Sequence, residues 1–349
     1  MPSVLLTDRP SCRAWDFGDY PYALEPLSLP APGAPDIEEE GGAGSDGAAA
    51  YGQVTQYLRG IGEGAVSLDG IEPCAAPDEL YWFRWITGHQ VCFAIWRLMA
   101  QLQEEVVEGA VPLEPAFAHL SAYARGYSAM LLYTGSCPRP LYHALIRPSM
   151  RLRHRSFSGS WAPDYAPVQD LFRGQETRLN ELPGADALSR AIELYRLVHD
   201  GVAAKLVPDG KSLLRQSTVD TSESHELLGL LYDNYFLTLR APVSHQDVVA
   251  QLLRRLVAIA QDAAVNPLGQ GSSEDLDDRP AELRAPQVIA CERLFFEILF
   301  EVASCATEGA FGSRGPEGER IDGVPERLAL VASFEAASAT ATESGQRSA

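Results

Sequence analysis

Positive charge is scarce in this 349-residue chain: 28 Lys and Arg stand against 47 Asp and Glu, a net charge of −19. Such a surface repels phosphate backbones and anionic headgroups, which excludes nucleic acid and membranes as partners. Long apolar runs are missing as well; no stretch approaches the roughly 20 residues that a membrane span requires. The six cysteines (12, 74, 92, 137, 291 and 305) form no Cys-x-x-Cys pair, and the opening "MPSVLLTDRPSCRAW" lacks the basic and long apolar segments of a secretory signal. Reduced thiols in a cytoplasmic protein are the expectation.

Several site chemistries are absent too. The stretch "DGKS" at 209–212 has Lys205 where a phosphate loop requires its first glycine, and "GIGEG" at 60–64 follows no strand pattern. There is no Gly-x-Ser-x-Gly elbow, no Glu-x-x-His pair of the di-iron bundles and no zinc-ligand spacing. Any site must therefore be assembled from isolated histidines.

Alternating runs of strand type are nearly lacking, and what remains is helical periodicity. Helices are predicted over 51–60, 77–107, 113–134, 138–150, 182–207, 222–240, 243–264, 280–307 and 325–338, with Ser244 a candidate N-cap. Residues 1–50 read as an irregular aromatic and proline-rich arm followed by a flexible acidic, Gly/Ala-rich loop. Residues 51–338 read as one α-helical domain and 339–349 as a disordered tail. The fold class is all-α, a helical bundle.

Two of the seven histidines lie centrally on clean apolar stripes. In "ELYWFRWITGHQVCFAIWRLM" (79–99), Trp82, Trp85, His89, Cys92 and Trp96 follow steps of three and four. In "DALSRAIELYRLVHDGVAAKL" (186–206), Leu188, Ile192, Tyr195, His199, Val202 and Leu206 do the same. Each stripe should face a core, where an imidazole needs a hydrogen-bond partner or a ligand. Each histidine alone reads as a packed core residue. Two on separate long helices also suit a heme pocket, one ligating iron and the other facing its open side.

The segment "DELYWFRWITGHQVCFAIW" resembles the distal-histidine helix of the tryptophan 2,3-dioxygenase-like superfamily, and "LYRLVH" at 194–199 resembles its heme-ligating segment. The longer gap from Asp78-Glu79 to His89 and the missing Gly-rich loop after His199 depart from the dioxygenases. With "WDFGDYPYALEPL" and "IRPSMRLRHRSFSGSWAPDY" included, the chain is more similar to the heme-dependent L-tyrosine 3-hydroxylases of antibiotic pathways that build 4-alkylprolines. A related branch that hydroxylates 3-methyltyrosine attaches its heme through a His-x-x-x-Cys motif. The His199 helix offers no such cysteine, so non-covalent heme b is expected.

The resemblance implies a bundle enclosing heme and conversion of L-tyrosine to L-DOPA with hydrogen peroxide or oxygen. His199 would be the iron ligand and His89 the acid–base group, with a pKa near neutrality. Asp200 points about 100° from His199 on a helix, which disfavours it as that ligand's partner. Trp82, Trp85 and Trp96 would be core or heme wall. The basic run, with Arg151 first and then Arg147, Arg155 and Ser158, would hold the substrate carboxylate; a solvated basic loop is the plainer reading. His225 is the fallback iron ligand, and a homo-oligomer is possible. The competing functions are an indole-cleaving heme dioxygenase and a non-catalytic helical protein with two packed histidines.

Overall fold

The computed structural model describes residues 15–18, 21–34, 37, 45–174, 179, 182, 184–207, 212–216, 224–268 and 279–311. The helix expected over 325–338, the tail and much of the first 44 residues lie outside them. The order is β1 (Leu27–Leu29), α1 (Ser45–Gly62), α2 (Pro77–Glu108), α3 (Leu113–Thr134), α4 (Arg139–Leu141), a π-helical turn (Tyr142–Ile146) and α5 (Arg147–Arg153). Two 3₁₀ turns (Gly159–Trp161 and Pro163–Val168) lead to α6 (Gln169–Arg173), α7 (Asp186–Leu206), α8 (Leu213–Gln216) and α9 (His225–Tyr235). Then come β2 (Thr238–Arg240), α10 (His245–Val265), a 3₁₀ turn (Ala281–Arg284), α11 (Pro286–Arg293) and α12 (Phe295–Phe311). The architecture is all-α, as the periodicity indicates. Among the described residues no helix is long and apolar enough to cross a membrane.

Helix α2 is the central element, with buried residues on every side. Pro77 starts it, and Gly109, at φ 71°, ends it in the left-handed region that glycine tolerates. Its partners are α3, α10 and the Pro163–Val168 turn, while α3 also packs along α7 and α12. Close approach of α2 and α3 requires Gly88: a Cβ there would lie 2.5 Å from Thr134 Cγ2.

Buried charge cross-links these helices. Arg84 of α2 donates from Nε to Asp262 of α10 (2.7 Å), and the Tyr133 hydroxyl of α3 donates to the same carboxylate oxygen (2.8 Å). Arg125 of α3 and Glu301 of α12 form a second buried pair. Each carboxylate has a cation beside it, as burial of a charge demands.

Three departures from the periodicity have local causes. The helix expected over 138–150 widens to a π-turn, where the Arg147 N–H reaches back to the Tyr142 carbonyl just before Pro148, which has no N–H to give. The helix expected over 222–240 stops at Tyr235; Leu237 turns left-handed (φ 54°) and Thr238–Arg240 pair in parallel with Leu27–Leu29. Tertiary pairing with the arm overrides the helical pattern there. The Gln251 side chain closes the free edge of β1, bonding Ser28 N (2.7 Å) and Ser28 O (2.9 Å). Finally, part of the stretch expected to be flexible, residues 45–50, opens α1. Ser244 does cap α10, within a full capping box with Asp247. All five described cysteines are free thiols.

Candidate functional site

Gly88, His89 and Gln90 divide three tasks. Gly88 lets α3 approach. His89, about 100° further round the helix, lies among aromatic rings: Trp85 at 4.3 Å, Phe236 stacked at 4.5 Å and 20°, and Phe93 at 6.5 Å between centroids. Its Nδ1 is 2.6 Å from the Trp85 carbonyl. A carbonyl only accepts, so Nδ1 carries the proton and Nε2 of the neutral ring carries the lone pair. Burial pulls the imidazole pKa down to about 4, against the opposing hydrogen bond to Trp85. This corrects the expectation of a pKa near neutrality. At neutral pH His89 is a proton acceptor, not a donor.

Gln90 explains how the cage is held. Its Nε2 donates to the Phe236 carbonyl (2.9 Å) and the Glu25 carbonyl (3.0 Å), and its Oε1 accepts from Arg255 Nε (2.9 Å). The residue next to His89 thus fixes the backbone whose ring covers His89. Gln90 belongs to the Gly-His-Gln run of the resemblance and Phe236 does not stand out in the sequence; the roles of both depend on the arm and the α9–β2 turn coming together.

A cavity of about 550 Å³ backs onto this cage. It is lined by Leu24, Trp82, Ile86, Ser149, Leu152, Arg153, Asn234, Tyr235 and Leu237. Ile86 and Trp82 lie one and two turns before His89 on α2, and Tyr235 precedes the stacked Phe236. The Tyr235 hydroxyl is held by Ser149 Oγ (2.8 Å), and its ring meets Trp82 edge-on at 6.0 Å.

The basic run is dispersed. Arg147 engages the Tyr142 phenol. Arg151 and Arg155 are exposed, away from the cavity lining, and Ser158 accepts from Ser160 N to cap a 3₁₀ turn. Arg153, which the sequence places within the run without preference, is the arginine the structure brings to the cavity.

His199 departs from its expected burial. Its side chain is 53% exposed, while Leu188, Ile192, Tyr195 and Leu206 of the same stripe are buried. The stripe points the right way, but the covering layer stops short at His199. Asp200 is also closer than helical angles suggest: its Oδ1 lies 3.2 Å from His199 Nδ1. His225, the fallback, is exposed at the start of α9.

A heme between the two imidazoles can be tested against this packing. At His199 the donor chemistry suits a ligand: a carboxylate orients Nδ1, and Nε2 has no protein partner among the described residues. The shared slot does not fit. From His89 the ring contacts run through Phe93, Trp96, Tyr127 and Tyr195 to His199, at successive centroid distances of 6.5, 5.6, 5.0, 4.9 and 5.7 Å. Helix α3, which bears Tyr127, packs on both α2 and α7. The three tryptophans likewise do not form one wall. Trp82 lines the cavity, Trp85 lies over His89, and Trp96 turns to Tyr127 and Tyr165, its Nε1 buried without a partner.

Residues 65–193 match the family model of the SfmD 3-methyl-L-tyrosine peroxygenase. The match begins between α1 and α2, contains His89 and the whole basic run, and ends within α7 before His199. No curated protein matches the chain. The match spans less than half of the chain, and the family it names acts as a peroxygenase on 3-methyl-L-tyrosine. One departure from the 3-methyltyrosine branch is visible: the residues four before the cysteines are Asp8, Gly70, Gly88, Tyr133, Gln287 and Glu301, so no His-x-x-x-Cys motif occurs anywhere.

Proposed function

We propose that the chain is a heme-dependent hydroxylase that converts L-tyrosine to L-DOPA with hydrogen peroxide, within antibiotic-type 4-alkylproline biosynthesis. The observation that carries this reading is a neutral imidazole, His89, caged by aromatic rings inside the segment that matches the peroxygenase model. The missing His-x-x-x-Cys motif supports non-covalent heme b and favours L-tyrosine over the methylated substrate named by that model.

In this reading His199 holds the iron, with Asp200 fixing its tautomer. A heme held there would supply oxidising chemistry with peroxide. Because the slot between the two histidines is filled by side chains, no step is drawn through the cofactor. His89 Nε2 is the atom that takes the phenol proton. Its depressed pKa keeps Nε2 unprotonated at neutral pH; general bases typically contribute about 10²–10⁴-fold, the most when their pKa lies near the operating pH.

The test is product analysis by mass spectrometry. Heme-loaded protein with peroxide should yield L-DOPA from L-tyrosine, and the His89→Ala variant should lose at least a hundredfold in turnover while remaining folded. Preferential oxidation of 3-methyl-L-tyrosine would move the chain to the branch named by the matching model. Ring cleavage of tryptophan with oxygen would support the dioxygenase reading. A protein that binds no heme would return the chain to a non-catalytic helical protein.

A further inference from the structure

We infer that the cavity beside the His89 cage is a site for an aromatic amino acid, and that Arg153 pairs with its carboxylate. The inference rests on the hydroxylase reading for the identity of the ligand, but the site stands on its own geometry. Among the described residues Arg153 is the single charged residue in the lining, and no carboxylate lines the space. The remaining polar groups are Ser149, Asn234 and Tyr235, and the rest of the wall is apolar or aromatic. A largely apolar cavity whose one charge is a cation selects an anion attached to an apolar body. Its volume, about 550 Å³, lies in the usual range for small-molecule sites.

The behaviour of the other arginines sharpens the assignment. Arg84, Arg125, Arg240, Arg254 and Arg279 are each paired with a carboxylate. Arg153, in a chain with 47 acidic residues, has no carboxylate partner among the described residues. Its neighbours on the basic run are excluded by position, since Arg151 and Arg155 do not line the space. Arg153 sits at the C-terminal end of α5, so a guanidinium fork there can take a carboxylate bidentately while Trp82 and Tyr235 flank the aromatic body. Asn234, exposed at the rim, offers its side-chain carbonyl to the ammonium. Ring against Trp82 and Tyr235 places the reacting end of the ligand next to the His89 cage.

The experiment is calorimetric titration of the full-length, heme-loaded protein with L-tyrosine and with tyramine, which lacks the carboxylate. Wild type should prefer L-tyrosine. Arg153→Gln should weaken L-tyrosine at least tenfold and leave tyramine within twofold, while Arg153→Lys recovers part of the loss. Arg151→Gln and Arg155→Gln should bind as wild type does. All three positions are exposed, so folding is not at risk. The inference is overturned if Arg153→Gln weakens tyramine equally, if Arg151→Gln has the larger effect, or if the loss appears in heme affinity instead. The two readings can fail separately. Hydroxylation with an unchanged KM in Arg153→Gln removes this site and leaves the activity. Arg153-dependent binding with no hydroxylation removes the activity and leaves the site.

Discussion

His89 and His199 occupy stripes of the same spacing, yet one is enclosed by rings and the other looks outward. The difference lies in what surrounds their helices. Around His89, α2 is covered by α3, α10, the N-terminal arm and the α9–β2 turn, and Gln90 ties the last two to it. Around His199, α7 buries one face on α3 and leaves the imidazole 53% exposed. Periodicity reports the direction of a side chain. Whether anything covers it depends on segments distant in sequence.

The comparison predicts unequal responses to substitution, beginning at the α2 anchor. Gln90→Leu leaves Arg255 Nε and the Phe236 carbonyl without their partner, while Arg255 keeps its bonds to the Gln251, Glu25 and Pro26 carbonyls, and should cost about 2 kcal/mol in denaturant unfolding. A loss below about 1 kcal/mol would mean that the arm and turn are not held through this side chain.

A second test uses pH. The folded-state pKa of His89, about 4, lies below the unfolded value of 6.5. Between those values the unfolded chain binds a proton that the folded chain refuses, so stability is complete above pH 6.5 and falls as pH drops toward 4. The contribution is roughly 3 kcal/mol at most. His89→Gln should flatten that limb of the stability–pH curve.

A smaller change is expected from Phe236→Leu. Opening the stacked face should raise the His89 pKa by about one unit, visible in its ring proton NMR shifts. Smallest of all, His199→Ala should alter unfolding stability by less than about 0.5 kcal/mol, as befits an exposed residue with one local partner.

Much of the fold is legible in the sequence. The boundaries of α2, α3 and α10 lie close to those expected from apolar spacing, Pro77 and Ser244. The interruptions are less so. The strand at 238–240 exists because the arm pairs with it, and the π-turn answers a single proline. For the site, the His89 stripe and the basic run are visible as patterns. The cage is not, because Phe236 arrives through a tertiary turn, and neither is the choice of Arg153 over Arg151, which depends on where α5 meets α9. The depressed pKa of His89 is likewise a product of enclosure, which no spacing encodes.

The heme assignment is the claim on which the hydroxylase reading turns, and absorption-monitored titration with hemin tests it most directly. Wild type and His89→Ala should both develop a sharp histidine-ligated heme band at one equivalent. His199→Ala should lose that band or shift it to the position of loosely bound hemin. A native spectrum retained in His199→Ala, together with its loss in His89→Ala, would contradict the account.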